Sequence, residues 1–347
     1  MNRRLSLALR ILAIVAIATG LWWFVRAMDL AALGRAFTSA KLWPIVLAAG
    51  LNFACLWAKA VCWHLMLAPR HQVSILRLFR LTIATFAASA IAPARAGEVL
   101  RVWSLKRRDG VPVADTAAVA VAEKLLDGIS MLILVAPVPW LLPGLPSWVA
   151  TAIAICAGVA IVLFIGLFIA VGRLGKLDAA AGPPALIRRF LTGLHVLRSP
   201  RRLTGTLGVL LAIWITDLVQ VMLVLYAVGI DQPIAAGLLT LFTLNLTIAV
   251  PSTPGQVGAL EVGALAALNL LQVPQVPAVA FALLYHALQV FPLIAAGLIF
   301  EWRLVLRREG DPVVEPVAPP SKPVEPTRPA EPSKPAPLPK ARTHTPP

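Results

Sequence analysis

Arg95, Glu98 and Arg101 recur at three-residue spacing within the segment 93–108, directly behind an apolar run and far from either terminus. On a helix that spacing places the three along one face. Guanidinium forks match the geometry of phosphate oxygens, so the chemistry this pattern suggests is capture of a phosphate-bearing headgroup. The competing reading is an interfacial, salt-bridged turn. Glu123 and Asp127 stand at i and i+4 around Lys124 at the start of a later apolar run. Carboxylates at membrane depth are costly and face a cavity or one another. Pairing with Arg95 or Arg101 would neutralise both partners and create an element that arriving substrate releases; ordinary helix-start acids at headgroup level are the alternative. Lys59 and Asp217 lie 217 − 59 = 158 positions apart. They suit either a buried ion pair or a snorkelling lysine and an aspartate held by a hydroxyl or amide. Glu261 follows a Pro/Gly-rich break, and His64 and His286, each alone in an apolar run, read as hydrogen-bonded packing.

Other chemistries lack their residues. No Gly-x-x-x-x-Gly-Lys-[Ser/Thr], His-Glu-x-x-His or Gly-x-Ser-x-Gly occurs, which removes the signatures of P-loop hydrolysis, zincin catalysis and the nucleophile elbow. Cys55, Cys62 and Cys156 form no CxxC pair and read as small buried hydrophobes. The expectation is a chain with no catalytic residue, metal site or cofactor.

The elements that must position these side chains are membrane helices. The sequence is 59% hydrophobic and 14% charged, with a mean hydropathy of +0.82, too apolar for a water-soluble domain. Its net charge of +15 sits in short segments between apolar runs, as the positive-inside rule expects, and does not point to nucleic acid. Runs long enough for a bilayer core of about 30 Å fall at 9–27, 43–67, 118–142, 148–171, 206–229 and 277–300. Arg3, Arg4 and Arg10 put the N-terminus in the cytoplasm, and Arg303, Arg307 and Arg308 put the C-terminal side there too. The first run follows a signal-like basic start but has no convincing cleavage site, so it is expected to stay as a helix.

The run from Leu81 to Ala92 has only 12 residues and is flanked by Arg77 and Arg80 before it and Arg95, Arg101, Lys106, Arg107 and Arg108 after it. A single crossing would strand cations on both sides, whereas a re-entrant hairpin keeps them together, with its polar backbone lining a cavity. A second break, with Pro251, Pro254, Gly255 and Gly258, lies 251 − 93 = 158 positions downstream. At that constant offset Leu81, Thr82, Thr85, Pro93, Gly97 and Val99 match Leu239, Thr240, Thr243, Pro251, Gly255 and Val257. The predicted fold is therefore an all-α integral membrane protein with about six transmembrane helices and two re-entrant hairpins in an inverted-topology repeat. Its membrane domain covers 1–310, with halves at about 9–142 and 148–300. Residues 311–347 form a Pro-rich tail, expected to be disordered and cytoplasmic.

The segments Pro93-x-Arg95-x-Gly97-Glu98-x-x-Arg101, Glu123-Lys124-x-x-Asp127 and Pro254-Gly255-x-x-Gly258-x-x-Glu261 resemble the flippase-like transmembrane domain of bacterial lysylphosphatidylglycerol synthetases and its stand-alone relatives. The resemblance spans roughly 5–305. It implies two hairpins around a central cavity, lipid translocation across the bacterial inner membrane, membrane lipids as partners, and Arg95, Glu98, Arg101, Glu123, Asp127 and Glu261 as cavity residues. The soluble aminoacyl-transferase domain of the synthetases has no counterpart in this sequence, and a Pro-rich tail stands in its place. An accessory subunit or membrane enzyme working with envelope-lipid biosynthetic enzymes is the alternative function.

Overall fold

Length and apolarity together single out the helices able to cross a bilayer. The computed structural model describes residues 30–68, 70–91, 96–174, 190–194, 197, 199–249 and 254–305. Among them every regular element is helical: α1 (Leu30–Thr38), α2 (Leu42–Leu67), α3 (Ile75–Ile91), α4 (Ala96–Asp109), α5 (Val113–Val135), α6 (Val138–Leu141), α7 (Ser147–Leu174), α8 (Pro200–Ala227), α9 (Ile234–Ile248), a 3-10 turn at Pro254–Gln256, α10 (Ala259–Leu270) and α11 (Gln275–Val305). Four are long and apolar enough to cross a membrane, namely α2, α7, α8 and α11, while α9 and α10 are shorter apolar helices. At a rise of 1.5 Å per residue, the 26 residues of α2 reach about 39 Å, enough for the hydrocarbon core.

The predicted run 9–27, Pro93, Arg95, Pro251 and the tail 311–347 lie outside the described residues. Elsewhere several boundaries move. The third predicted crossing, 118–142, falls on α5, Val113–Val135, a 23-residue helix that is not among the four apolar enough to cross. It stops early because Pro137 and Pro139 cannot continue its hydrogen-bond ladder, and the chain re-forms only as the single turn α6. The helix that holds the run behind the first predicted hairpin is longer than that run, 17 residues from Ile75 rather than 12 from Leu81. Arg77 and Arg80 are part of that helix, and a helix tolerates such residues at its end where an apolar window does not.

Elements recur at the offset seen in the sequence: 42 + 158 = 200 gives the first residue of α8, and 75 + 158 = 233 falls one residue before α9. Side-chain hydrogen bonds follow. The Thr82 and Thr85 hydroxyls donate to the carbonyls of Leu78 and Leu81, and those of Thr240 and Thr243 donate to Ala236 and Leu239, the positions 158 later. Each hydroxyl is thereby satisfied within its own helix, which removes the cost of burying it.

The offset-related helices α2 and α8 pack along each other, α3 packs on α11, and α9 packs on α10. One apolar cluster gathers Ala60, Trp63, Met66 and Leu67 of α2 with Leu105 of α4, Ala122 and Leu126 of α5 and Leu210 and Ile213 of α8. A second joins Val221 and Val224 of α8 to Leu241, Leu260, Ala264, Leu268 and Phe281 in the later helices. Long stretches of α7 instead expose Ile161, Val162, Leu163 and Phe168, the all-round apolarity of a helix that faces lipid.

Candidate functional site

Arg101 is turned inwards from α4, together with Ser104 and Leu105 one turn on. It meets Trp63, carried by α2, with the guanidinium 4.4 Å from the ring centroid, a distance at which the ring face attracts the cation. The indole Nε1–H of Trp63 donates to Glu123 Oε2 at 2.8 Å, and Arg101 Nη1 lies 3.7 Å from the same oxygen. Lys59, one turn before Trp63 on α2, places Nζ 3.9 Å from both Glu123 Oε1 and Asp127 Oδ1. Two cations therefore face two carboxylates, and the group is electrically balanced. Trp214 of α8 closes it by donating its indole N–H to the backbone carbonyl of Asp127 at 3.0 Å. Three buried polar atoms here have no hydrogen-bond partner: Arg101 Nε, Ser104 Oγ and Asp127 Oδ1. Unsatisfied buried polar atoms are uncommon and call for a functional explanation.

Of Arg95, Glu98 and Arg101, the two that are described lie on one helix but differ in burial. The Arg101 side chain is 10% exposed, whereas Glu98 is 53% exposed and pairs with Lys124 at 3.8 Å. A three-residue step rotates a helix by about 300°, and α4 packs on α3 and α5, so that residual rotation is enough to leave Glu98 at the rim. Gly97 sits over α3, its amide donating to Ser89 Oγ at 3.2 Å.

Lys59 and Asp217 do not form an ion pair within 4 Å. Lys59 turns to the α5 carboxylates, and Asp217 Oδ1 accepts from the Gln220 amide at 3.0 Å and the Cys55 thiol at 3.3 Å. Asp217 is thus held by neutral donors, one of the two arrangements the sequence allows. Asp217→Asn preserves an acceptor at the same point and is expected to shift stability by less than about 1 kcal/mol, while Gln220→Leu, which removes a donor, should cost about 1–3 kcal/mol. Thermal unfolding of the purified variants checks the contrast.

Glu261 is the third residue of α10 and stands apart from this cluster. Its Oε2 accepts from the amide of Gly258, the residue that opens the helix, at 2.7 Å, and its Oε1 lies 2.5 Å from Nδ1 of His286 on α11. His286 Nε2 reaches the Gly255 carbonyl at 2.7 Å. The turn itself uses left-handed backbone at Gly255, Gln256 and Gly258, with φ of 63°, 64° and 87°.

The structure thus joins Arg101, Glu123 and Asp127, leaves Glu98 on the flank and gives Glu261 a different partner. Lys59 and Trp63 join the first cluster through their i, i+4 spacing on α2, a signal present in the sequence but ambiguous among many apolar neighbours. His286 has no such signal, because the position 158 before it is Gly128. Among the described residues no group of three or more His, Cys, Asp and Glu side chains is placed to hold a metal ion.

No curated protein and no solved structure gives a significant match to the chain. The family model described as the lysylphosphatidylglycerol synthase TM region matches residues 10–297, a stretch containing both charged clusters, α2, α7, α8 and all but the end of α11. By that match the chain belongs to the lysylphosphatidylglycerol synthase transmembrane-region family, a multi-pass membrane protein tied to lipid handling.

Proposed function

We propose that the chain moves a lipid or lipid-linked amphiphile with a polar, phosphate-bearing headgroup across the bacterial inner membrane, with both termini in the cytoplasm. The observation that carries this reading is the buried, charge-balanced cluster of Arg101, Glu123, Lys59 and Asp127, in which Arg101 Nε keeps an unused donor. Charges at that depth are retained for function rather than for stability. A headgroup phosphate reaching Arg101 would compete with Glu123 for the guanidinium, so binding and loosening of the α4–α5 contact become one event. Arg95, on the segment that leads into α4, would extend the same site, and Glu98 with Lys124 would form its rim.

In this reading α3 with α4, and α9 with α10, are two re-entrant hairpins in opposite orientation. The repeat of element starts and of threonine hydrogen bonds at one offset supports it, since such repeats build transporters that alternate around a midplane site. The family's tie to lipid handling points the same way, and movement of a lipid makes or breaks no covalent bond.

Reconstitution with fluorescent lipids tests the proposal. Proteoliposomes should expose inner-leaflet headgroups to an impermeant quencher faster than empty vesicles. Arg101→Lys, which keeps the charge but loses the fork, should slow this by about tenfold, equivalent to about 1.4 kcal/mol. Movement equal to that of protein-free vesicles for anionic, zwitterionic and polyprenyl-linked lipids alike would remove the proposal.

A further inference from the structure

The contact between α10 and α11 has a proton count that its geometry dictates. His286 Nε2 faces the Gly255 carbonyl, which can only accept, so that nitrogen carries a hydrogen. The other nitrogen, Nδ1, faces Glu261 Oε1 at 2.5 Å. In the neutral ring Nδ1 would then be a lone pair set against a carboxylate oxygen. That contact is attractive only if a proton lies between them, as an imidazolium donating to a carboxylate or a carboxylic acid donating to an imidazole. The second carboxylate oxygen is already engaged by the Gly258 amide at 2.7 Å. The pair therefore holds one proton more than a neutral histidine and a free carboxylate.

The position of that proton gives it leverage. Its two outer ligands, Gly255 and Gly258, flank the turn whose backbone is left-handed at three of four residues. One of them, Gln256, is a non-glycine residue that pays a steric penalty there. The turn packs against α3, and a Cβ built on Gly255 would lie only 3.3 Å from the Ala90 carbonyl near the end of that helix. The same turn thus closes the distance between the two proposed hairpins and is strained while it does so.

We infer that His286 and Glu261 form a proton-binding site that latches the α9–α10 turn against α3, and that the proton is the ion coupled to lipid movement. The inference rests on the transport reading for its second clause only. The exchange is His286-H⁺·Glu261⁻ ⇌ His286·Glu261⁻ + H⁺. In the deprotonated state the imidazole has one hydrogen for two acceptors, Glu261 is left as an uncompensated charge whose side chain is 16% exposed, and the strained turn is free to leave Ala90. Protonation from either side of the membrane resets it. A histidine is suited to this because its charge changes within the physiological range.

Other ionisable groups on the packed helices are directed elsewhere. On α8, Asp217 is held by Gln220 and Cys55, and on α2 Lys59 pairs with Glu123 and Asp127, whereas the carboxylate paired with His286 is that of Glu261. Helix α1 brings Arg35, an exposed residue, and α3 has Arg77 and Arg80 only at its opposite end from Ala90. Helix α9 contains no ionisable side chain, and α10 contains Glu261 alone.

Amide hydrogen exchange of residues 255–262 in the full-length protein in lipid nanodiscs, each rate divided by its intrinsic rate at that pH, tests the latch without requiring transport. For the wild type, normalised opening should rise with pH, by at most about tenfold per unit, the slope for loss of one proton, between the titration of the histidine in the open turn and that of the closed pair, and should level off on either side. His286→Gln and Glu261→Gln should flatten the profile. A flat wild-type profile overturns the latch even if neither variant accumulates, and a profile unchanged in His286→Gln assigns the proton to another group and overturns it equally. In proteoliposomes, movement of the fluorescent lipid should follow the direction of an imposed pH gradient. Movement indifferent to the gradient overturns the coupling, whereas a pH-dependent turn in a protein that moves no lipid overturns the transport proposal and leaves the latch standing.

Discussion

Replacement of Glu123 by alanine is expected to destabilise the protein by about 3–5 kcal/mol, the cost of breaking a buried charge pair from one side. Glu123 is the hub of three contacts: the Trp63 indole at 2.8 Å, Arg101 at 3.7 Å and Lys59 at 3.9 Å. Its removal leaves Lys59 with Asp127 alone as an ion-pair partner, and Arg101 with only the Trp63 ring face and the exposed Glu98. An indole N–H also loses its acceptor in an apolar surround, which costs a further share of the same total. Asp127→Ala should cost less, about 1–2 kcal/mol, because its carboxylate is more exposed and meets Lys59 only. A cycle separates charge from packing: adding Arg101→Met to Glu123→Ala removes the orphaned cation and should recover at least about 1 kcal/mol, a coupling expected of directly interacting residues. Thermal unfolding of the detergent-purified proteins provides the measurement. A Glu123→Ala variant within about 0.5 kcal/mol of wild type would mean that the cluster is already open to water.

The legible part of this fold is the part set by long-range averages. Apolar runs of bilayer length follow from transfer free energy summed over many residues, so α2, α7, α8 and α11 begin and end within about six residues of the runs that predict them. The end of α5 is less legible, because Pro137 and Pro139 interrupt a run that hydropathy alone carries on to 142. Side-chain direction is harder still. Glu98 and Arg101 differ by a rotation that no spacing rule resolves until the neighbours of α4 are known, and their exposures of 53% and 10% decide their roles.

The partners of single polar residues are the least legible. Lys59 had two carboxylates on α5 and one on α8 within reach, and the choice depends on interhelical distances of a few ångströms. A lone histidine in an apolar run is commonly a packing residue, and nothing near His286 in sequence distinguishes it, since Glu261 is 25 positions away and Gly255 is 31. What the sequence does contain is the offset of 158, which pairs the two segments proposed as hairpins. The charges within them are asymmetric: the first has Arg101 and Glu98, and the second has Gln256 and Glu261 with a histidine brought from α11. In the proposed transport cycle one hairpin would meet an anion and the other would hold a proton.

Gly97→Ala and Gly263→Ala should each lower stability by about 1–3 kcal/mol or more, the range for overpacking a tight contact, with a matching loss of monodisperse protein. A Cβ on Gly97 would fall on the Thr85 carbonyl, with the carbonyl carbon itself at 2.7 Å, and one on Gly263 would lie 2.8 Å from both Leu244 Cα and the Thr243 carbonyl oxygen. These are backbone atoms, which cannot rotate aside as a side chain would, so either α4 moves off α3 or α10 moves off α9. The two contacts fall on Thr85 and Thr243, matched at 243 − 85 = 158, yet the glycines that make them are not matched, since 263 − 158 = 105 is a leucine. The requirement preserved between the halves is therefore close approach of the two arms over the threonine, and each half meets it with a different residue. Gly128→Ala is the control: it lies inside α5 with nothing within 4 Å of the added carbon, and replacing a helix-interior glycine there should be neutral or stabilising by up to about 1 kcal/mol. If all three alanine variants unfold at the same temperature, the hairpin arms do not pack backbone to backbone. If only Gly97→Ala and Gly263→Ala fall, the contact over the threonines is what holds each hairpin closed.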